Sequence, residues 1–273
     1  MWCYFNGRFL RKSAIKVGVT DLALLRGYAI FDYFRSYNGK LFRINDYLNR
    51  FENSSKKMHL KIPVNRKALV KVIEKLLEKN KAYGKDIGIR LLLTGGYSPD
   101  GYAISKPNFF ILPEALPVYP SRHFTKGISL NLFEHPRELP LVKTTNYLTA
   151  ANLAKLRKKL KVQDTLYHHR GRILECTRNN FFLFHGDTLV TAEKNVLLGI
   201  SRKVNLEIAE KIFKIELREV LLEELDTCTE AFISGSTRGV CPVVMIDGKV
   251  IGNGLVGENT KVLMKKFSDA VNL

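Results

Sequence analysis

The run Leu141-Val142-Lys143-Thr144-Thr145-Asn146-Tyr147 decides how the rest of this 273-residue chain is read. Lys143 lies in an apolar-flanked segment after two prolines, Pro136 and Pro140. Desolvation there would favour the neutral, nucleophilic amine. Downstream, Glu175 stands in ILECTRNNFFLF (residues 173–184), a strongly apolar strand pattern. A carboxylate is costly to bury in such a strand unless a cation pairs with it. Gly199-Ile200-Ser201 then opens a helix directly after Val196-Leu197-Leu198. Unsatisfied N–H groups and the positive end of the helix dipole converge at that point, which suits a phosphate. Ser234-Gly235-Ser236-Thr237 ends a strand with small hydroxyl residues.

Around these pieces the composition is that of a folded protein. Hydrophobic residues make up 45% of the chain, enough for one large domain or two smaller ones. Lys and Arg number 44 against 26 Asp and Glu, a formal net charge of +18. The basic residues are scattered, as at Arg11-Lys12, Lys56-Lys57 and Lys155 to Lys161, and no nucleic-acid motif accompanies them. They read as solvated faces and as partners of anionic small ligands, with no nucleic acid expected. Cys3, Cys176, Cys228 and Cys241 are far apart with no CxxC pair, so no metal or redox site is expected. Free thiols, no signal-peptide pattern and no apolar run of roughly 20 residues point to a cytoplasmic protein with no membrane partner.

The local patterns predict an α+β chain. Residues 2–10 read as a hairpin turning at Asn6-Gly7, and 28–37 as a strand returning over Lys40 to Arg43 after the Asn38-Gly39 turn. Asn45 is the expected N-cap of a helix to about Lys57, and Lys67 to Asn80 has the spacing of an amphipathic helix. Strands follow at 87–94 and 108–112. Proline at 113, 117 and 120 marks a linker over 116–121 between an N-terminal domain (1–115) and a C-terminal one (122–273). The second half reads as strands at 128–133, 165–169, 172–175, 180–185, 188–191, 231–234 and 243–246. Helices are expected at 147–161, 201–213, 221–225 and 257–271.

One lysine, one acid and two donor-rich turns are the parts that pyridoxal 5'-phosphate (PLP) needs. The lysine forms an imine with its aldehyde, the acid keeps its pyridine nitrogen protonated, and the donors grip its phosphate. The order of the blocks also resembles the class IV PLP-dependent aminotransferases, which include branched-chain aminotransferases, D-amino-acid aminotransferases and aminodeoxychorismate lyases. The matching blocks are RGYAIFDYFRSYNGKLFRINDYLNRF (26–51), LVKTTNYLTAANLA (141–154), ILECTRNNFFLF (173–184), LLGISRKVNLEIA (197–209) and EAFISGSTRGVCPV (230–243).

The resemblance implies a two-domain PLP fold of type IV, D-amino-acid aminotransferase-like, with the cofactor at the domain seam. It implies that Lys143 carries the Schiff base and moves the Cα proton, and that Glu175 pairs with the pyridine nitrogen. Arg50 would bind the phosphate, Ile200, Ser201, Ser236 and Thr237 would complete the phosphate cup, and Tyr147 would bond the ring oxygen. It also implies a homodimer acting on amino acids and 2-oxo acids. The chain departs from the branched-chain pattern in two places. No extra glycine stands between Lys143 and Asn146, and the block after Glu175 carries Arg178 where those enzymes have glycine (EGxGEN). A guanidinium there favours a carboxylate, and Arg26 and Arg90 lie in segments that approach the pocket in the family. The expectation is an aminotransferase favouring D-amino acids. A 4-amino-4-deoxychorismate lyase and a branched-chain L-aminotransferase are the alternatives.

Overall fold

A computed structural model describes residues 1–272, which divide into two compact units. The first is Met1–Pro117 with Val142–Tyr147; the second is Val118–Leu141 with Leu148–Leu273. The division thus falls inside the proline-rich stretch, but Lys143 belongs to the first unit and not to the C-terminal part of the chain.

The first unit contains β1 (Trp2–Phe5), β2 (Arg8–Arg11), α1 (Leu22–Arg26), β3 (Ala29–Tyr37), β4 (Lys40–Leu41), α2 (Ile44–Lys57), α3 (Arg66–Lys79), β5 (Gly88–Thr94) and β6 (Phe109–Glu114). Its six strands run β2-β1-β6-β5-β3-β4, all neighbours antiparallel. Asn6-Gly7 and Asn38-Gly39 take positive φ in the two hairpin turns, where their small side chains relieve the steric cost. Helices α2 and α3 bury Leu48, Phe51, Leu69, Ile73 and Leu76. The α3 start is capped by Asn65, whose Oδ1 accepts from the Ala68 N–H. The α2 start differs from expectation. Arg43, at φ +52, is the N-cap and makes no side-chain capping bond, so Asn45 falls inside the first turn. Beyond the short β4, the open edge of β3 is covered by residues 143–145. Phe31 N–H donates to the Lys143 carbonyl (2.9 Å), and Thr145 N–H to the Ala29 carbonyl (3.0 Å).

The second unit contains α4 (Arg122–Thr125), β7 (Ile128–Glu134), α5 (Leu148–Asn152), α6 (Ala154–Leu160), β8 (Asp164–His169), β9 (Arg172–Cys176), β10 (Asn180–His185) and β11 (Thr188–Ala192). It continues with α7 (Ile200–Ala209), β12 (Lys214–Arg218), β13 (Val220–Leu221), β14 (Glu230–Gly235), β15 (Gly239–Ile246), β16 (Lys249–Val250) and α8 (Glu258–Asn272). The path β10-β14-β15-β7-β8-β9 returns to β10 through the Glu175–Asn180 pair and closes a ring of six strands. Leu130, Leu166, Ile173, Leu183, Ile233 and Cys241 belong to the core of this unit. The helix expected over 147–161 is two short ones, broken at Leu153, which is buried in that core. Helix α7 stops at Ala209, four residues early, and Phe213 instead packs edge-on against Phe184 at 5.1 Å. Strand β12 was not expected. Its KIELR sequence alternates weakly, and only parallel pairing with β11 makes it a strand. No helix of the described residues is long and apolar enough to cross a membrane.

Candidate functional site

In the first unit the predicted residues gather on β3 and the segment docked to it. Lys143 is half-buried; its Nζ lies 4.7 Å from the centre of the Phe31 ring. The Tyr147 ring meets the same phenyl group edge-on at 5.8 Å, and the Arg90 guanidinium lies 5.0 Å from its centre. The main chain around Lys143 is therefore fixed by strand pairing, and its side chain runs along an aromatic surface.

Arg50, on α2, faces Asp32, on β3. Its Nε donates to Asp32 Oδ2 (2.9 Å) and its Nη2 to Oδ1 (2.6 Å). The Asp32 side chain is 0% exposed and that of Arg50 is 11% exposed. Burial pulls the Arg50 pKa down, but Asp32 outweighs it and the net shift is upward, so the guanidinium stays charged. Arg90 is similarly engaged by Glu114, through Nε to Oε1 (2.6 Å) and Nη2 to Oε2 (3.0 Å), and its pKa is also raised against the opposing effect of burial. Arg26 is exposed, stacks at 4.7 Å on Tyr102 and donates to its neighbour's carbonyl, Leu25 O.

In the second unit Glu175 is 4% exposed. Arg137 Nε donates to its Oε1 (2.7 Å), while Leu197 N–H (3.2 Å) and Asn180 Nδ2 (3.3 Å) donate to Oε2. Arg137 is itself steadied by the Thr177 carbonyl at 2.7 Å. The buried acid is thus held as an ionised carboxylate by a cation and two further donors. Asn180 also donates to the Leu197 carbonyl (2.7 Å), which ties the acid to the segment leading into α7.

That helix start has the features of an anion cradle. Gly199 is the N-cap and supplies no side-chain cap, while the Ile200, Ser201 and Arg202 N–H groups precede the first intrahelical donor, the Lys203 N–H that bonds to the Gly199 carbonyl (2.9 Å). A Cβ on Gly199 would stand 2.2 Å from Asn180 Oδ1, so only glycine lets the main chain pass this close. Arg202, in the first turn, is buried, and its Nε has no partner among the described residues. A cation at the positive end of a helix is unfavourable, and an anion bound there would relieve it. Asn205 Nδ2 joins Ser201 O (2.9 Å) and Ser234 Oγ (2.7 Å), so α7 and the Ser234–Thr237 turn are bonded together. Thr237 Oγ1 lies 3.0 Å from the Tyr119 hydroxyl. These residues fit PLP: a phosphate at the glycine-opened helix start and a buried carboxylate, paired with Arg137, for the pyridinium.

Arg178 is exposed on the turn between β9 and β10. Sequence reasoning missed Asp32, Arg137, Asn180 and Arg238. Asp32 carried a readable signal, an acid inside the apolar pattern AIFDYF, which demands a buried cation. The other three carry no such signal in their local sequence, and only their contacts with residues elsewhere in the fold distinguish them.

The family model described as Amino-transferase class IV matches residues 29–246. The chain is 31% identical, over 98% of its length and 96% of the relative's, to a Methanocaldococcus jannaschii protein whose provisional name is branched-chain-amino-acid aminotransferase. It is 28% identical to a D-alanine aminotransferase of Staphylococcus haemolyticus, over 97% of this chain and 96% of that one. Among solved structures it resembles the branched-chain amino acid aminotransferase of Escherichia coli, with a TM-score of 0.91 and 22% identity, over 98% of this chain and 93% of that one. A hypothetical aminotransferase from Mycobacterium tuberculosis, in its PLP-bound form, aligns over 99% of both chains with a TM-score of 0.87 and 16% identity. At such identities the structural likeness speaks for the fold.

Proposed function

Because this chain belongs to the class IV aminotransferases, a PLP-dependent family acting on amino acids and 2-oxo acids, we propose that one PLP is served by Lys143, Arg50 and Tyr147 and by Glu175, Ile200, Ser201, Ser236 and Thr237. The observation that carries this assignment is the Glu175 carboxylate, buried between Arg137 and the Leu197 and Asn180 donors and tied through Asn180 to the start of α7.

When bound, PLP supplies an electron-withdrawing ring that lowers the cost of removing the substrate Cα proton. Lys143 supplies the amine that anchors the cofactor, and its Nζ takes that proton and returns one on the other side of the transfer. Glu175 accepts a hydrogen bond from the pyridine N–H and, kept ionised by Arg137, holds the proton on that nitrogen. The α7 amides and Arg50 bind phosphate oxygens, and Asp32 holds the Arg50 guanidinium in one orientation. Tyr147 donates to the ring oxygen.

For the substrate we propose an amino acid with an apolar side chain, L-branched-chain acids first. The Lys143 side chain lies over the Phe31 ring, which Tyr147 meets edge-on, and the charge of Arg90 is already matched by Glu114. That environment favours aliphatic groups over a second carboxylate. A D-alanine aminotransferase is the second reading, supported by the Lys143–Asn146 spacing and by the staphylococcal relatives. Arg26 and Arg178, both exposed, remain proposed partners of substrate carboxylates.

Half-reactions of the PLP-loaded protein decide between these readings. L-leucine should bleach the cofactor's visible band faster than D-alanine or D-glutamate. A D-only response would overturn the first reading, and pyruvate released from aminodeoxychorismate without an oxo-acid acceptor would mark a lyase. We also propose a cytoplasmic homodimer, for which light scattering should give twice the monomer mass.

A further inference from the structure

Three guanidinium groups described above are each matched by a carboxylate: Arg50 by Asp32, Arg90 by Glu114 and Arg137 by Glu175. Arg238 has no acidic partner among the described residues. Arg26 and Arg178 also lack one, but they are exposed and solvated. Arg238 is partly buried and held from three sides.

Its Cζ lies 4.0 Å from the centre of the Tyr119 ring, its Nη1 is 3.5 Å from His123 Nδ1, and the same nitrogen reaches Cys241 Sγ at 3.8 Å. None of these three neighbours is a carboxylate. Burial pushes the His123 pKa down, helped by Arg238 and Arg122, and burial raises the Cys241 thiol to about 11. Neutral His123 can therefore accept from the guanidinium.

The position of Arg238 follows from the turn it closes. Its N–H donates to the Gly235 carbonyl (3.2 Å), Gly235 pairs with Gly239, and Gly239 takes φ +61. Thr237, the preceding residue, meets the Tyr119 hydroxyl. One tyrosine therefore fixes the Thr237 hydroxyl with its oxygen and the Arg238 guanidinium with its ring face. Stacking leaves the in-plane N–H edge of a guanidinium for a planar acceptor, and Nε and Nη2 have no protein acceptor among the described residues. A cation oriented in this way and lacking a counter-charge is a preorganised receptor for a carboxylate.

We propose that the Arg238 guanidinium binds a carboxylate of the amino acid and 2-oxo acid substrates, with Tyr119 and His123 as its positioning residues. The proposal rests on the aminotransferase reading.

The test compares wild type, Arg238→Gln and Arg238→Lys. PLP loading is measured first, as added mass after borohydride reduction, and should be equal in all three. Each loaded protein is then titrated with 4-methylvalerate, an unreactive carboxylate, and with 4-methylpentanol, its alcohol counterpart, following the cofactor's visible band. Arg238→Gln should weaken 4-methylvalerate roughly 10- to 100-fold, the loss of a charge-assisted pair. It should leave the alcohol unchanged, and Arg238→Lys should recover part of the loss. Unchanged 4-methylvalerate affinity, or equal loss for acid and alcohol, overturns the proposal. So does failure of both variants to load PLP, which would place Arg238 with the cofactor. A wild-type chain that takes up no PLP overturns the aminotransferase reading and this proposal with it.

Discussion

Arg50 and Asp32, 18 residues apart on α2 and β3, form a two-point ion pair in which the aspartate is completely buried. Asp32 Oδ1 also accepts from the Tyr33 N–H at 2.7 Å, so the carboxylate is fixed to its own strand and the guanidinium is fixed to the carboxylate. Removing the acid leaves a buried, unmatched cation. Asp32→Ala should therefore destabilise the protein by about 3–5 kcal/mol, read by urea denaturation. Asp32→Glu should recover part of this. On the proposed role of Arg50, Asp32→Asn should also weaken PLP more than it weakens pyridoxal, which lacks the phosphate. An equal effect on both compounds would separate Arg50 from phosphate binding.

Lys143→Ala removes the proposed anchor and proton carrier. Turnover should fall by roughly 10²–10⁴-fold from the loss of acid–base catalysis alone. Borohydride should no longer attach cofactor mass to the chain. Labelling that persists would assign the imine to another lysine.

Gly199→Ala places a methyl group where Asn180 Oδ1 already stands, at 2.2 Å. Asn180 is held at the Glu175 carboxylate and the Leu197 carbonyl, so it cannot yield without disturbing the acid. The substitution should cost about 1–3 kcal/mol of stability and raise the PLP dissociation constant. Gly171→Ala is the control. A Cβ at that positive-φ turn meets nothing within 4 Å, so it should lose stability without changing cofactor affinity.

Glu224 sets an acid limit on stability. Burial would raise its pKa, but Arg218, the Leu221 N–H and His185 outweigh this and hold it at about 2. Arg218 donates to both oxygens at 2.8 Å. A folded-state pKa below the unfolded one stabilises the fold above the unfolded value, roughly 4.3. That stabilisation fades as pH falls toward about 2. With Arg218 partly solvated, about 1–2 kcal/mol should disappear across this window. Glu224→Gln should lower the melting temperature at pH 7 and narrow the gap to wild type as the pH approaches 2.

Much of this protein was legible in its sequence because the relevant physics is local. The Asn6-Gly7 and Asn38-Gly39 turns follow from which residues tolerate positive φ, and α3 from the 3.6-residue spacing of Leu69, Ile73 and Leu76. The blocks around Lys143, Glu175 and Gly199 pointed to the same cofactor chemistry and family because each role demands a particular residue type. The α2 cap escaped the reading, since the turn after β4 forces Arg43 into the left-handed region. Strand β12 escaped it because its partner β11 decides its conformation.

Tertiary structure alone decided which charges meet and where the key lysine belongs. Phe31 and Lys143 are joined through main-chain atoms across more than a hundred residues, which groups residues 142–147 with the first unit. The Glu175–Asn180 pair closes the strand ring, Asp32 and Glu114 claim Arg50 and Arg90, and Arg238 is left without an acid. Periodicity and capping act within a few residues of the chain. Strand register and ion pairing depend on contacts made only after distant segments pack, so no local pattern records them.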